Sequence, residues 1–125
     1  MKKLIAMFLS LLLLAGCSTA APSYRQIDQQ EALSMMDKEI DYIILDVRTP
    51  EEFAGGHIPD AINIPVESIG TAEIPELSQK DQLIMVYCRS GNRSKTASKK
   101  LAEQGYTNIV EFGGINTWPG KIVTD

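Results

Sequence analysis

The stretch QLIMVYCRSGNRSKTASKKLAEQG, residues 82–105, carries the pattern that determines the fold. Its apolar run, residues 83–87, is typical of a strand that is buried on both faces of a parallel sheet. The run leads directly into Cys88, and residues 94–104 then follow a helical pattern with Gly105 at the position of a C-terminal cap. The stretch is therefore predicted to form a strand, a tight turn and a helix.

Similar units recur along the chain, whose 125 residues are enough for one domain. Asp28 and Glu31 form a capping box before a first helix. Thr49 and Pro50 begin a second, short helix that ends at two glycines, residues 55–56. Residues 66–80 are predicted to be a loop with one or two helical turns. Further strands are predicted at residues 24–27, 42–45, 61–64 and 108–112, the last of them ended by Gly113 and Gly114.

This alternation of strands and helices predicts an α/β fold, in which a mainly parallel five-stranded sheet is flanked by helices on both faces. Ligands in such sheets bind outside the carboxyl ends of the strands. Asp46 and Cys88 both lie at predicted strand ends. The architecture alone therefore predicts an active site at that edge of the sheet.

The N-terminal residues are predicted to precede the domain. Residues 1–16 form a signal peptide in this interpretation, with a basic start and an apolar run of about eleven residues that is too short to span a bilayer. The sequence Leu-Ala-Gly-Cys, residues 14–17, resembles the lipobox of bacterial lipoproteins, in which the signal is cut before a cysteine that carries diacylglycerol. An ordinary secretory signal with a chance cysteine is the alternative. The lipobox interpretation makes residues 17–23 a lipidated Cys17 with a short tether, and places the domain, residues 24–125, on a membrane outside the cytoplasm.

Charge and cysteine usage narrow the functional classes. Cleavage removes Lys2 and Lys3, so 10 basic residues face 16 acidic ones, and the net charge becomes −6. Such an acidic domain is a poor candidate for binding nucleic acid. With Cys17 lipidated, Cys88 has no disulfide partner. Because secreted domains usually use cysteines in pairs, a lone thiol indicates either an inert core residue or a reactive one.

The turn after Cys88 favours the reactive alternative. Gly91 can adopt positive φ, which allows successive backbone N–H groups to point inward as an anion-binding nest. The N-terminus of the following helix, Arg89 and Arg93 all add positive potential. Lowering a thiol pKa by two units from about 8.5 requires about 2.7 kcal/mol, an amount that such a turn can supply. Cys88 is therefore predicted to be a nucleophile.

The chain resembles the single-domain rhodaneses, a family of sulfurtransferases. The segment CRSGNRS, residues 88–94, is similar to their active-site loop. LDVRTPEEF (45–53), GHIPDAINIP (56–65) and the C-terminal Gly105-Tyr106, Gly113-Gly114 and Trp118 resemble further family segments in the family order, which together cover residues 24–120. One departure is Asp60, which stands where the family usually has glycine; it is expected to change a turn without touching a catalytic group.

The resemblance implies double-displacement sulfur transfer. Cys88 accepts a sulfane sulfur from a donor such as thiosulfate, becomes a persulfide, and passes the sulfur to cyanide or a thiol. The amides of the loop hold the persulfide anion, and two arginines of this loop, residues 89 and 93, orient the anionic donor. No cofactor is implied, the protein is expected to be a monomer, and one histidine with one free cysteine cannot form a zinc site. The residues assigned to persulfide or substrate binding are Arg89, Ser90, Gly91, Asn92 and Arg93.

Two other functions remain open. The first is a non-catalytic binding or persulfide-sensing module. The second is a phosphatase or arsenate reductase, but those relatives place five residues between the cysteine and the arginine, whereas only four separate Cys88 from Arg93. A smaller ring suits a sulfur atom better than a phosphoryl group.

Several other residues have alternative interpretations. Asp46 and Arg48 either support the loop or form a structural ion pair, and the latter is favoured. His57 is either a general base or part of a structural motif, and the resemblance favours the structural role. Three lysines lie on the predicted helix after Cys88: Lys95, Lys99 and Lys100. They form either its solvated face or a surface that attracts anionic donors or an anionic membrane.

Overall fold

The computed structural model describes residues 23–124 and contains a five-stranded sheet with the strand order β1-β5-β4-β2-β3. Every strand pairing in this sheet is parallel, and the central strand, β4, is buried along its whole length. The predicted α/β fold is confirmed. The strands are β1 (Arg25–Gln26), β2 (Tyr42–Asp46), β3 (Ile62–Asn63), β4 (Leu83–Cys88) and β5 (Ile109–Gly114).

Three α-helices connect the strands: α1 (Gln29–Lys38), α2 (Pro50–Ala54) and α3 (Asn92–Glu103). The predicted capping box at α1 is confirmed in one half, in which the Asp28 side chain accepts a hydrogen bond from the Glu31 amide. At α2 the predicted cap is confirmed, and Thr49 and Glu52 form both halves of a capping box. The predicted loop at residues 66–80 contains two 3-10 turns, Val66–Ser68 and Pro75–Leu77.

The sheet separates two apolar cores, so helices cover both of its faces as predicted. On one face, Ala97, Leu101 and Ala102 of α3 pack against alternate residues of β4 and β5. On the other face, Ala32 of α1 lies in the second core, with Phe53 of α2 packed against it. Because strand side chains alternate between the faces, Cys88 and its predecessor Tyr87 belong to different cores.

The C-terminal end of β5 differs from the prediction. Gly113 and Gly114 do not end the strand at residue 112 but form its last two residues. Gly114 pairs with Cys88 after an irregularity in the register that follows Val86. A Cβ atom on Gly114 would overlap the carbonyl group of Arg89, so the glycine allows the cysteine loop to approach the strand end. Alternation alone could not predict this, because glycine is a common strand terminator.

Asp60 adopts a left-handed conformation with φ of 67°. This conformation explains why a glycine is expected at this position, since other residues adopt it at a cost of about 1–2 kcal/mol. Aspartate is among the residues that tolerate it best, because its short side chain can form local hydrogen bonds. Asp60 is exposed, and no hydrogen bond connects it to the Cys88 loop.

The predicted signal peptide, residues 1–16, and the predicted lipidation site, Cys17, lie outside the described residues. Within residues 23–124, no helix has both the length and the apolar character needed to cross a membrane.

Candidate active site

Cys88 is the last residue of β4, and the loop that follows it reaches α3 at Asn92. The residue is only 1% exposed. Gly91 has φ of 103°, the left-handed conformation that the sequence predicted, and its N–H donates a hydrogen bond of 3.0 Å to the Cys88 Sγ. The glycine therefore both turns the chain and aims a backbone donor at the sulfur.

The pKa of the Cys88 thiol lies below its ordinary value. Burial is the largest single influence and raises the pKa, because it penalises the thiolate. A hydrogen bond between the thiol and the Ser94 hydroxyl, together with hydrogen bonds from the amides of Ser94, Gly91 and Ser90, lowers it and outweighs burial. The loop thus stabilises an anion at the sulfur by means of short-range donors.

Ser94 lies beside the thiol and Glu111 lies beside Ser94, and the sequence pattern assigned neither of them a role. The Ser94 Oγ is 3.4 Å from the Cys88 Sγ and donates a hydrogen bond of 2.6 Å to the Glu111 carboxylate. The Gly113 amide donates to the same carboxylate oxygen at 2.8 Å. Glu111 could have been singled out, since it is a charged residue inside the otherwise apolar run of β5.

Arg93 is engaged in a bidentate ion pair with Glu52 of α2, with N–O distances of 2.7 and 2.9 Å. This hydrogen bonding raises the pKa of Arg93 and lowers the pKa of Glu52 from 4.5 to about 2. The negative charge of Cys88 also raises the pKa of Arg93, as expected for a nearby pair of opposite charges. Arg93 therefore supplies positive potential at the sulfur from a position that is fixed by α2.

The other loop side chains face solvent. Arg89, Ser90 and Asn92 are exposed. Arg89 forms no ion pair with any residue in the range 23–124 and lines an open cleft of about 390 Å³. The charged residues Arg48, Glu51 and Glu52 and the apolar Ile122 also line this cleft, which therefore combines charges of both signs with apolar surface.

Asp46 and Arg48 form a buried ion pair of 2.6 Å. The Arg48 guanidinium also donates to the carbonyl oxygen of Gly56 and lies 5.8 Å from the centre of the Tyr87 ring. The Asp46 side chain accepts, in addition, from the Arg48 amide. These contacts connect the end of β2 to the backbone at Gly56, which follows α2. None of these hydrogen bonds reaches the Cys88 loop.

The His57 ring packs against α2. Its ring stacks on Phe53 with a centroid distance of 3.9 Å, and its Nδ1 lies 3.0 Å from the Phe53 carbonyl oxygen. Its backbone forms an antiparallel bridge with Val123. In the part of the chain that the structure describes, no three His, Cys, Asp or Glu side chains are grouped so that they could hold a metal ion.

A family comparison identifies this arrangement. The family model described as the rhodanese-like domain matches residues 28–121 of the sequence. This range includes Cys88, its loop and the partners of Cys88 on α3 and β5. The chain belongs to the rhodanese-like family. Its rhodanese-like domain has the five-stranded parallel sheet and the single cysteine loop described above.

Individual relatives of this rhodanese-like protein are sulfurtransferases. It is 38% identical over 96 residues to a sulfurtransferase of Allochromatium vinosum, which covers 74% of this chain and 86% of the relative. It is 35% identical over 71 residues to the thiosulfate sulfurtransferase PspE of Escherichia coli, which covers 57% of this chain and 68% of the relative. Other curated relatives are longer, and the chain spans between 21% and 56% of their length.

A solved structure, a rhodanese with anions from Escherichia coli, superposes with a TM-score of 0.62 at 31% identity. The match covers 67% of this chain and 99% of that one.

Proposed function

We propose that this protein is a thiosulfate-type sulfurtransferase that carries a sulfane sulfur on Cys88. The observation that supports this most directly is the buried thiol with a lowered pKa, which receives a backbone hydrogen bond from Gly91 at 3.0 Å. A thiolate is the nucleophilic form of cysteine, and a turn of backbone amides stabilises it. The similarity to a thiosulfate sulfurtransferase and to a rhodanese with anions supports an anionic donor.

The first half-reaction transfers sulfur from the donor to the enzyme. The Cys88 thiolate attacks the outer sulfur of thiosulfate, the sulfur–sulfur bond of the donor breaks, and sulfite leaves with the bonding electron pair. The product is a Cys88 persulfide anion with one negative charge, as the thiolate had. The two negative charges of thiosulfate leave on sulfite. Gly91 and the start of α3 stabilise the terminal sulfur as they stabilised the thiolate. Arg89, which is exposed beside the cleft, attracts the donor.

The second half-reaction returns the enzyme to its starting state. Cyanide or a thiolate attacks the terminal sulfur of the persulfide, the sulfur–sulfur bond to Cys88 breaks, and the thiolate is regenerated. The cleft beside Arg89 is open and lined by both charged and apolar residues, including Ile115 and Ile122, so it has room for a small acceptor.

The test measures sulfur on the enzyme and thiocyanate in solution. The full chain, incubated with thiosulfate alone, is expected to gain one sulfur atom at Cys88 by mass spectrometry, and added cyanide is expected to release it as thiocyanate. The variant C88S loses both signals, whereas C17S, which removes the only other cysteine, keeps both. Full turnover by C88S would overturn the mechanism. Loading without turnover would favour a sulfur carrier or a persulfide sensor.

The proposed location is a membrane surface outside the cytoplasm, with a monomeric domain anchored through lipid on Cys17. The support is the sequence of residues 1–17 alone. Metabolic labelling with a fatty acid is expected to mark the wild type and not C17S, and C17S is expected to leave the membrane fraction. Equal labelling of both proteins would refute the anchor.

A further inference from the structure

Glu111 is a buried carboxylate that forms no ion pair with any residue in the range 23–124. It is 3% exposed, and it faces α3 because its neighbours Val110 and Phe112 point into the opposite core. The buried residues of α3 are all uncharged, and neither ion pair near the loop, Arg93–Glu52 or Arg48–Asp46, includes Glu111. A buried charge is costly unless it is paired or hydrogen-bonded, so this carboxylate depends on two donors, which are Ser94 and Gly113.

The Ser94 hydroxyl lies between this carboxylate and the thiol. It is 3.4 Å from the Cys88 Sγ and 2.6 Å from the Glu111 Oε2, and Ser94 itself is fully buried. A hydroxyl has one proton to donate and can accept as well. Two arrangements are therefore available: the thiol donates to Ser94 while Ser94 donates to the carboxylate, or a protonated Glu111 donates to Ser94 while Ser94 donates to the thiolate.

We propose that Glu111 is the internal proton acceptor of Cys88 and acts through Ser94. In this step the S–H bond of Cys88 breaks and its proton passes to the Ser94 oxygen, while the proton of Ser94 passes to Glu111. The products are a thiolate, an intact hydroxyl and a neutral carboxylic acid, with no change in oxidation state. Glu111 is thus a positioning residue. The assignment rests on the proposed function only in taking Cys88 to be the nucleophile.

This relay has a consequence for sulfur transfer. Ionisation of Cys88 within the network leaves the net charge of the buried site unchanged, so the site holds one negative charge rather than two. The persulfide then forms beside a neutral Glu111, which removes the repulsion that a carboxylate would exert on the anion.

Apart from Glu52, the other groups around the network are positively charged or neutral. Arg93, on α3, is near enough to Cys88 to interact with its charge, and Arg89 follows Cys88 in the loop. From α1 the neutral Gln29 donates to the carbonyl oxygen of Gly114, and on β1 the neutral Gln26 lies in register with Glu111. Glu52 approaches through its ion pair with Arg93. E111Q alters none of these groups, so a change in titration in the folded variant reports on the carboxylate.

The test follows thiolate absorbance against pH in the full chain with C17S, where Cys88 is the only thiol. When two titrating groups interact strongly, their protons come off in two macroscopic steps that belong to the pair, and a probe of one group can report both steps. The C17S reference is therefore expected to show two steps, and E111Q, which cannot accept the proton, a single step. The matched control E103Q, at the exposed end of α3, is expected to keep both steps. A single step in the reference overturns the relay, as do two unchanged steps in folded E111Q.

A second measurement needs no variant at Glu111. Infrared spectra of the reference at the plateau pH are expected to contain a band from a buried carboxylic acid, and alkylation of Cys88 is expected to abolish it because the thiolate that retains the proton is lost. Absence of the band overturns the relay even where E111Q does not fold. Neither measurement uses a sulfur donor, so failure of sulfur transfer with an intact two-step titration refutes only the proposed function.

Discussion

Glu52 offers a quantitative test of how α2 supports the active-site loop. Its carboxylate binds Arg93 through two hydrogen bonds, and its Oε1 also accepts from the Thr49 amide in the capping box. The substitution E52Q keeps an oxygen for the cap, since glutamine also occupies this position of capping boxes, and removes only the charge. Loss of stability in E52Q therefore measures the ion pair.

The magnitude follows from the pKa of Glu52, which is lowered from 4.5 to about 2, chiefly by the hydrogen bonds with Arg93 and to a smaller extent by those with Thr49. A shift of that size corresponds to about 3 kcal/mol. The side chains of Arg93 and Glu52 are 33% and 27% exposed, so solvent screening reduces the expected contribution to about 1–2 kcal/mol. Because the pKa of Glu52 is lowered in the folded state, this stability is present above pH 4.5 and disappears as the pH falls from 4.5 to 2.

Urea denaturation followed by circular dichroism provides the assay. At pH 7 the midpoint of E52Q is expected about 1 M below that of the wild type, and the difference is expected to shrink towards zero near pH 2. E51Q is a matched control on the same helical turn, because Glu51 is exposed and its side chain forms no ion pair with a described residue. An equal loss at pH 7 and at pH 2 would refute the electrostatic explanation.

Three further substitutions test the positions of backbone and core groups. G114A is expected to lower the free energy of unfolding by about 3 kcal/mol or more in urea denaturation, since its Cβ overlaps the Arg89 carbonyl. A midpoint equal to that of the wild type would contradict the close approach. Y87F is expected to cost about 1–3 kcal/mol by the same assay, because the Ile58 amide donates to the Tyr87 hydroxyl at 3.1 Å; no loss would show that another acceptor replaces it. D60V is expected to lower thermal stability by about 1–2 kcal/mol while D60G stays within about 0.5 kcal/mol of wild type, and equal effects would refute the strain at φ of 67°.

The parts of the fold that could be predicted from sequence depend on local chemistry. The Asp28 and Thr49 caps, the apolar β4 and the positive φ of Gly91 each follow from interactions within a few residues, and all of them are found in the structure. The resemblance to family segments indicated that residues 88–94 form an active-site loop. Cys88 could be singled out because the charges and the glycine that surround it are close to it in sequence.

The remaining features depend on residues that only the folded chain brings together. Glu52 and Arg93 are 41 positions apart, and Ser94 and Glu111 are 17 apart, so no local pattern connects them. The extension of β5 to Gly114 is likewise set by its pairing with Cys88. The role of Arg93 in orienting the donor stays a prediction, and the structure adds that its guanidinium is held by Glu52 of α2.

These long-range contacts explain how a short loop can hold an anion at a buried sulfur. Four residues between Cys88 and Arg93 provide few amides, and burial alone would raise the pKa of the thiol. Donors at Ser90, Gly91 and Ser94 offset this burial, and β5 approaches closely enough for Gly113 and Gly114 to lie against the loop that carries them. The glycines of β5 therefore matter to the site at Cys88 as well as to the sheet, since a Cβ atom at residue 114 would overlap the Arg89 carbonyl group and displace that loop.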